Sequence, residues 1–201
     1  MLLRTLMQNQ VAALRQGYFE WSRTDDWVRG LSLACLFAVA TGLLAQVRVV
    51  LPFTPVPITG QTLGVLLAGS LLGARFGALS MGIYLALGLV GVPWFAGGDS
   101  GLLYLVGPTG GYLAGFIVAA WFLGKATDRS ASMRSPVAQV ALMGAGMVII
   151  YTFGAGWLMV GSHLSLGLAL GLGVVPFLMG DVLKIFLAAS TGMLLLPGAR
   201  K

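Results

Sequence analysis

Six long apolar stretches, separated by short charged or proline- and glycine-rich breaks, constrain this chain more than any other feature of its sequence. They run over residues 28–47, 61–73, 76–92, 104–124, 137–160 and 166–196. Hydrophobic residues make up 58% of the chain and charged residues only 9%, against roughly a quarter in ordinary globular domains. Because so few polar side chains cannot cover a surface in water, the stretches predict membrane-spanning helices.

Two of the stretches, 61–73 and 76–92, are shorter than the roughly 20 residues that a straight crossing needs. The separator Gly73-Ala74-Arg75 is one tight turn, which favours a helical hairpin over one long helix. The last stretch is longer than a crossing needs and contains Pro176, which breaks the helical hydrogen-bond ladder. Its first part is therefore expected to be a separate loop or a kinked end.

The basic residues predict the orientation of these helices. With a cytoplasmic N-terminus, the outer segments hold only Arg48, and Lys184 lies within the last stretch. The ten remaining basic residues all fall on the cytoplasmic side: Arg4, Arg15, Arg23, Arg29, Arg75, Lys125, Arg129, Arg134, Arg200 and Lys201. This positive-inside pattern predicts an all-α protein of six transmembrane helices in a bacterial cytoplasmic membrane, with both termini cytoplasmic. It also accounts for the net charge of +6 without a nucleic-acid partner.

The predicted membrane domain covers residues 28–196, and residues 197–201 form a short cytoplasmic tail. Residues 1–27 mix charged residues with scattered apolar ones, and no short hydrophobic core leads to a small-residue cleavage site. They are therefore not read as a cleavable signal. A surface or interfacial amphipathic segment and a disordered segment both remain open for them.

Three irregular segments fall on the predicted outer side, at residues 51–60, 91–101 and 107–112. The first has three prolines in six positions and cannot be helix. The second combines two aromatic residues with a flexible glycine run, and the third begins a span with non-helical residues. Irregular backbone near a membrane is tolerated where it is buried in protein or lines a cavity. The segments favour a pocket open to the outside, with ordinary connecting loops as the alternative.

One pair of charged residues lies inside the last stretch. Asp181 and Lys184 are three residues apart, so on a helix they share one face. A lone charge at the centre of a membrane costs about 2.5–3.5 kcal/mol on insertion scales. The pair predicts a polar anchor for a ligand with both donor and acceptor groups. A self-neutralising pair that only joins two helices is the alternative.

An enzyme is the competing functional class. Gly98-Asp99-Ser100-Gly101 matches the serine motif of intramembrane proteases, and His163 is also on the outer side. A Ser–His pair suffices for nucleophilic catalysis only if the two side chains meet, and a loop histidine is the simpler interpretation. The sequence contains neither a phosphate-binding G-x-x-x-x-G-K-[ST] motif nor a cysteine–histidine cluster for a metal.

Five blocks, in order along the chain, resemble one known family. They are 51–59, 61–69, 91–98, 107–112 and 176–184, which read LPFTPVPIT, QTLGVLLAG, GVPWFAGG, GPTGGY and PFLMGDVLK. They are similar to BioY, the substrate-capture (S) component of energy-coupling-factor (ECF) biotin transporters. The resemblance covers roughly residues 30–196 and leaves residues 1–27 without a role.

The resemblance implies a six-helix S-component fold that captures biotin from outside. It also implies coupling to a membrane scaffold subunit and two ATPase subunits, so that ATP acts only through partners and the chain itself needs no cofactor. Ala34 and Ala38 resemble the small-residue motif by which S components contact the scaffold. A different vitamin as the ligand, or a protease using Ser100 and His163, remains the alternative.

For biotin, the resemblance gives the charged pair a role. Asp181 would accept from a ureido N–H, and Lys184 would donate to the ureido oxygen or neutralise charge. Further substrate contacts are expected from the matching blocks, at Trp94, Phe95, Tyr112, Gln61 and Thr109, and from the outer carboxylate Asp99. The partner of the biotin carboxylate stays open.

Overall fold

The computed structural model describes residues 2–23 and 25–198. Its α-helices are α1 (Leu2–Ser22), α2 (Trp27–Gln46), α3 (Gln61–Leu89), α4 (Leu102–Val106), α5 (Gly110–Arg129), α6 (Pro136–Gly161), α7 (Leu166–Gly173) and α8 (Leu178–Leu195). Two short strands, β1 (Arg48–Val49) and β2 (Ile58–Thr59), pair antiparallel. Four helical stretches are long and apolar enough to cross a membrane, namely Trp27–Gln46, Gln61–Leu89, Pro136–Gly161 and Leu166–Leu195. The protein is mostly helical, as the sequence predicts.

Helix α3 is bent back on itself at Gly73, whose φ of 81° lies in the left-handed region that favours glycine. A Cβ atom on Gly77 would lie 2.9 Å from the Cα atom of Gly69. In a continuous helix these two residues would be about 12 Å apart. The arms 61–72 and 74–89 therefore run side by side, which confirms the predicted hairpin.

The fourth and the last apolar stretches are both interrupted. Helix α4 ends at Val106 and α5 begins at Gly110, so the fourth stretch is not one helix from residue 104. The irregular backbone expected over 107–112 is observed at 107–109, whereas 110–112 are helical. The carbonyl of Gly107, in this break, accepts a hydrogen bond from Trp157 Nε1 at 2.9 Å. The break expected at Pro176 is confirmed, because a 3₁₀ turn over Val175–Phe177 separates α7 from α8.

Small residues hold the helices at short distance in the core. Helix α5 lies between α3 and α6, and α2 packs on the other side of α3. A Cβ atom on Gly69 would lie 2.9 Å from Ala120 Cα, and one on Gly115 would lie 3.2 Å from Ile150 Cα. Close backbone approach of this kind is typical of membrane bundles.

The structure corrects the predicted partner surface at Ala34 and Ala38. Both alanines are 0% exposed, because they lie on the face of α2 that packs into the bundle. Small residues at this spacing serve close packing within a chain as well as between chains, and here the first use applies. The exposed side of α2 carries larger side chains such as Val28, Val39 and Leu43.

The N-terminal segment is helical up to Ser22, so the disordered alternative is wrong for the described part of it. Arg23 links the end of α1 by hydrogen bonds to the hairpin of α3 and to α5. Its side chain donates to Asp128 Oδ1 at 2.8 Å and to the carbonyl of Ser70 at 2.8 Å. Asp128 also accepts from the backbone N–H of Ala74 at 3.2 Å.

Candidate functional site

A cavity lies where the proline-rich segment, α3, α5, α6 and α8 meet, with about 500 Å³ of empty space that includes open solvent. Its wall is largely apolar and aromatic, with a polar group at one end. The lining residues are Val56, Pro57, Ile58, Thr59, Gln61, Thr62, Tyr104, Thr109, Tyr112, Leu113, Phe116, Ile150, Tyr151, Phe177, Asp181 and Lys184.

Asp181 is the centre of the polar end. It is only 3% exposed, and Lys184 Nζ lies 2.7 Å from its Oδ1 atom, one helical turn away on α8. The Tyr151 hydroxyl, from α6, donates to Oδ2. The Thr62 hydroxyl, from the first arm of α3, lies 3.4 Å from Oδ1. Three helices thus converge on one carboxylate.

Lys184 has donor capacity left. An ammonium group carries three N–H donors, and within the described part of the chain its nitrogen makes one hydrogen bond, to Asp181. The remaining N–H groups can donate to an oxygen of a molecule in the cavity. The pair therefore presents an acceptor and a donor side by side.

Tyr112 and Phe177 form an aromatic wall opposite the strands. Their rings meet edge to face, with centroids 6.4 Å apart. The Tyr112 hydroxyl donates to the carbonyl of Gly173 at 2.7 Å, which fixes the ring against the end of α7. Phe116 extends this wall one turn further along α5. Such a surface suits a compact apolar ring system.

Gln61 lines the cavity, but its amide is already engaged. Its Nε2 atom donates to the Tyr84 hydroxyl at 2.6 Å, and its Oε1 atom accepts from Thr59 at 2.8 Å. These bonds hold the end of β2 against both arms of α3. Gln61 thus positions the cavity wall as well as forming part of it.

Two aromatic residues expected at the ligand do not line the cavity. The indole N–H of Trp94 donates to the Tyr84 carbonyl at 3.0 Å. Phe95 is 0% exposed and stacks on Tyr104, with ring centroids 4.8 Å apart. They support Tyr84 and Tyr104 from behind, so their influence on a ligand would be indirect.

Asp99 also lies outside this cavity. It lines a second, neighbouring cavity, with about 680 Å³ of empty space that includes open solvent, together with Arg48 and the proline-rich segment. The two cavities share Pro57, Tyr104 and Thr109 in their walls, so the second adjoins the first, which we call the inner cavity.

Tyr151 and Thr62 are two of the site residues that sequence reasoning missed. Tyr151 lies in the middle of the fifth apolar stretch, and a phenol at that depth needs a hydrogen-bond partner. The need for such a partner was the signal in the sequence that could have identified Tyr151. Thr62 gave no such signal, because a threonine hydroxyl can bond to the backbone of its own helix.

The candidate protease residues Ser100 and His163 lie in separate loops. Ser100 precedes α4, and His163 follows α6 with a φ of 52°. No hydrogen bond joins the two side chains in these loops, which the structure describes throughout.

Comparison with known proteins gives a consistent result. A profile of the BioY family matches residues 9–200, so the likeness reaches well into the N-terminal segment that the sequence blocks left out. The chain is 38% identical to the biotin transporter BioY of Rhizobium etli, over 85% of this chain and 94% of that protein. It is 37% identical to a probable biotin transporter BioY of Pyrococcus horikoshii, over 77% and 88% of the two chains.

A solved structure agrees with these sequence matches. It is described as the S-component for biotin from an ECF-type ABC transporter, and it superimposes with a TM-score of 0.76 at 27% identity. The alignment covers 83% of this chain and 89% of that chain. The likeness thus extends over most of both chains.

Proposed function

The chain belongs to the BioY family, and on that premise we propose that it is the biotin-binding membrane subunit of a transporter. The observation that carries the proposal is the Asp181–Lys184 pair at the polar end of a largely apolar cavity. Charged side chains are costly inside a membrane, so those that occur there usually mark a functional site. Here the pair is placed to recognise a small ligand that is polar at one end.

Biotin matches this distribution of groups. Its ureido ring has N–H donors for the Asp181 carboxylate and a carbonyl that can accept from Lys184. Its fused sulfur ring is compact and apolar, which suits the wall of Tyr112, Phe116 and Phe177. In this arrangement Tyr151 is a positioning residue, because its hydroxyl holds the carboxylate oxygen that faces away from Lys184.

The proposed topology has six membrane crossings with both termini in the cytoplasm of a bacterial cell. The two arms of α3 count as separate crossings in this topology, because they lie antiparallel. The distribution of arginine and lysine supports this orientation. The biotin cavity then opens toward the outside, beneath the irregular outer segments.

Net uptake against a gradient needs an energy source. The sequence has no recognisable phosphate-binding loop, so ATP hydrolysis must come from partner subunits. We assign this chain to an ECF-type assembly with a membrane scaffold and ATPase subunits. Ala34 and Ala38 are not available for that contact, so the proposed contact surface uses exposed side chains.

A binding titration on the purified protein tests the proposal. Biotin, desthiobiotin, thiamine and riboflavin are titrated separately by calorimetry in detergent. We expect nanomolar binding of biotin and none of thiamine or riboflavin at the same concentrations. Binding of another vitamin with biotin silent would assign the cavity to that vitamin, and binding of none would refute the proposed function.

A further inference from the structure

Helix α1 carries an apolar stripe that no described part of the protein covers. Its members are Met7, Val11, Leu14 and Trp21, and all four side chains are exposed, Leu14 to 73%. Successive residues of an α-helix are about 100° apart around the axis, so these four lie within an arc of about 80°. Apolar residues at spacings of three and four form one face of an amphipathic helix. The stripe is therefore a continuous apolar surface, about 21 Å long.

The neighbouring face of α1 packs on the bundle. Arg15, Tyr18, Phe19 and Ser22 are buried or half-buried, and α1 contacts α3 and α8. The guanidinium of Arg134 lies over the Phe19 ring, 3.8 Å from its centroid. This packed face is centred about 70° around the axis from the stripe. The helix therefore lies at the edge of the bundle, with one face on the protein and the next face beyond it.

The end of α1 lies at the level where the membrane-crossing helices end. Arg23, the first residue after α1, donates to the carbonyl of Ser70, close to the turn at Gly73. Helix α2 begins four residues later, at Trp27, and the guanidinium of Arg75 lies 4.1 Å from the centroid of that indole ring. Aromatic and basic residues are typical of the boundary between hydrocarbon and cytoplasm. The stripe is thus placed at a membrane surface, which is the cytoplasmic one in the proposed topology.

The polar residues of α1 are arranged as in an interfacial helix. Arg15 borders the stripe, and among the described residues its side chain forms no ion pair and its buried Nε atom has no hydrogen-bond partner. Arg4 precedes it by 11 residues, about three turns, so the sequence places two basic residues on this border. The one acidic residue of α1, Glu20, lies on the far side, where it accepts from Gln16 at 2.7 Å. Basic residues beside an apolar face attract anionic lipids.

We propose that α1 is a membrane-surface helix. Its stripe inserts at the boundary between lipid headgroups and acyl chains, and Arg15 binds the phosphate of an anionic lipid. The occupant of this surface has to be apolar, has to carry negative charge beside the apolar part, and has to lie at the level where α2 enters the membrane. An anionic lipid meets all three conditions. The proposal does not depend on the ligand of the inner cavity, because no residue of α1 lines that cavity.

A fluorescent label on either side of α1 tests the insertion. The single cysteine, Cys35, is exposed and is first replaced by alanine. Leu14→Cys, in the stripe, and Gln16→Cys, on the far side, are then labelled separately with an environment-sensitive fluorophore. Each protein is placed in nanodiscs that hold one protomer, in equal parts of phosphatidylcholine and phosphatidylglycerol, with a doxyl quencher near the headgroups. We expect blue-shifted and quenched emission from the label at position 14, and water-like, unquenched emission from the label at position 16.

The contact with lipid phosphate is tested by moving the quencher between the two lipids. One basic residue near the surface is expected to enrich phosphatidylglycerol about fivefold beside the label at position 14. Quenching by doxyl-phosphatidylglycerol should therefore exceed quenching by doxyl-phosphatidylcholine. We expect Arg15→Gln to remove this difference and Arg15→Lys, which keeps the charge, to retain it. Thermal unfolding checks that both variants fold, and biotin affinity should be unchanged in both.

Four outcomes would overturn the proposal. Water-like emission from both labels would show that the stripe lies in water. Shielding of the label at position 14 only in discs with two protomers would assign the stripe to a second copy, and shielding only after scaffold and ATPase subunits are added would assign it to a partner protein. An unchanged lipid preference in Arg15→Gln would refute the phosphate contact. The two leaflets of a nanodisc have the same composition and the readout needs no biotin, so failure of the proposed topology or of biotin binding leaves this test intact.

Discussion

Replacing Asp181 by asparagine removes the charge at the polar end of the cavity while keeping the shape of the side chain. Three partners converge on this carboxylate: Lys184 at 2.7 Å, Thr62 at 3.4 Å and the Tyr151 hydroxyl. The asparagine amide is uncharged, and its nitrogen donates hydrogen bonds instead of accepting them. The side chain therefore accepts fewer hydrogen bonds than the carboxylate does, and each of them is weaker.

The magnitude follows from hydrogen-bond energies. A hydrogen bond to a charged group contributes about 1.5–3 kcal/mol, and one between neutral groups about 0.5–1.5 kcal/mol. The contact of a ureido N–H with Asp181 thus weakens by about 1.4 kcal/mol, which is tenfold in the dissociation constant. The ammonium of Lys184, with a side-chain exposure of 13%, also loses its counterion. We therefore expect lower thermal stability as well.

The assay is a calorimetric biotin titration of Asp181→Asn and Lys184→Met, both checked by thermal unfolding. Asp99→Asn serves as a matched carboxylate outside the inner cavity, and it is not expected to lose biotin affinity. The exchanged double variant, Asp181→Lys with Lys184→Asp, restores an ion pair but reverses donor and acceptor. We expect it to recover stability without recovering biotin binding.

Wild-type affinity in both single variants would refute the reasoning, because the pair would then be structural. Recovery of biotin binding by the exchanged double variant would refute it in a different way. It would show that the ligand depends on an intact ion pair and not on which residue donates.

Three further predictions concern other parts of the chain. Ser100→Ala should leave biotin binding and uptake unchanged, and loss of a measurable proteolytic activity in this variant would contradict the transporter function. Ala34→Trp together with Ala38→Trp should lower the yield of folded protein and the unfolding temperature, whereas Val39→Trp, on the exposed side of α2, should change neither. Normal stability of the double variant would mean that the face of α2 with the two alanines is not packed. Gly77→Leu should disrupt the hairpin, because a Cβ atom there lies 2.8 Å from the Ala68 carbonyl oxygen, and an unchanged unfolding temperature would refute the close approach.

The apolar stretches and the turns between them are predictable because a helix that crosses a membrane needs about 20 predominantly apolar residues in a row. Gly73 and Pro176 were identifiable as breaks for reasons of backbone chemistry alone. The break before Gly110 falls within the irregular segment expected at 107–112, but its hydrogen bond from Trp157 was not predictable, because Trp157 is 50 residues away in sequence. A local pattern carries no signal for a distant hydrogen-bond donor.

The site was predictable only in part, for a related reason. Asp181 and Lys184 are conspicuous because charges are rare in membrane helices. Trp94 and Phe95 look equally suited to a ligand in sequence, yet they support other aromatic rings. The sequence also did not determine whether the face of α2 that carries Ala34 and Ala38 packs inside the bundle, so both alanines were placed on the wrong surface. Orientation about a helix axis is decided by the whole bundle.

The hairpin of α3 has a consequence for how the protein enters the membrane during synthesis. Its first arm, 61–72, is about 18 Å long, and its second, 74–89, about 24 Å. Each arm is shorter than a hydrocarbon layer of about 30 Å. We therefore expect the two arms to insert into the membrane together, as one unit. The length of the first arm also sets how far Gln61 and Thr62, which line the cavity, lie from the turn at Gly73, and so the depth at which a ligand is held.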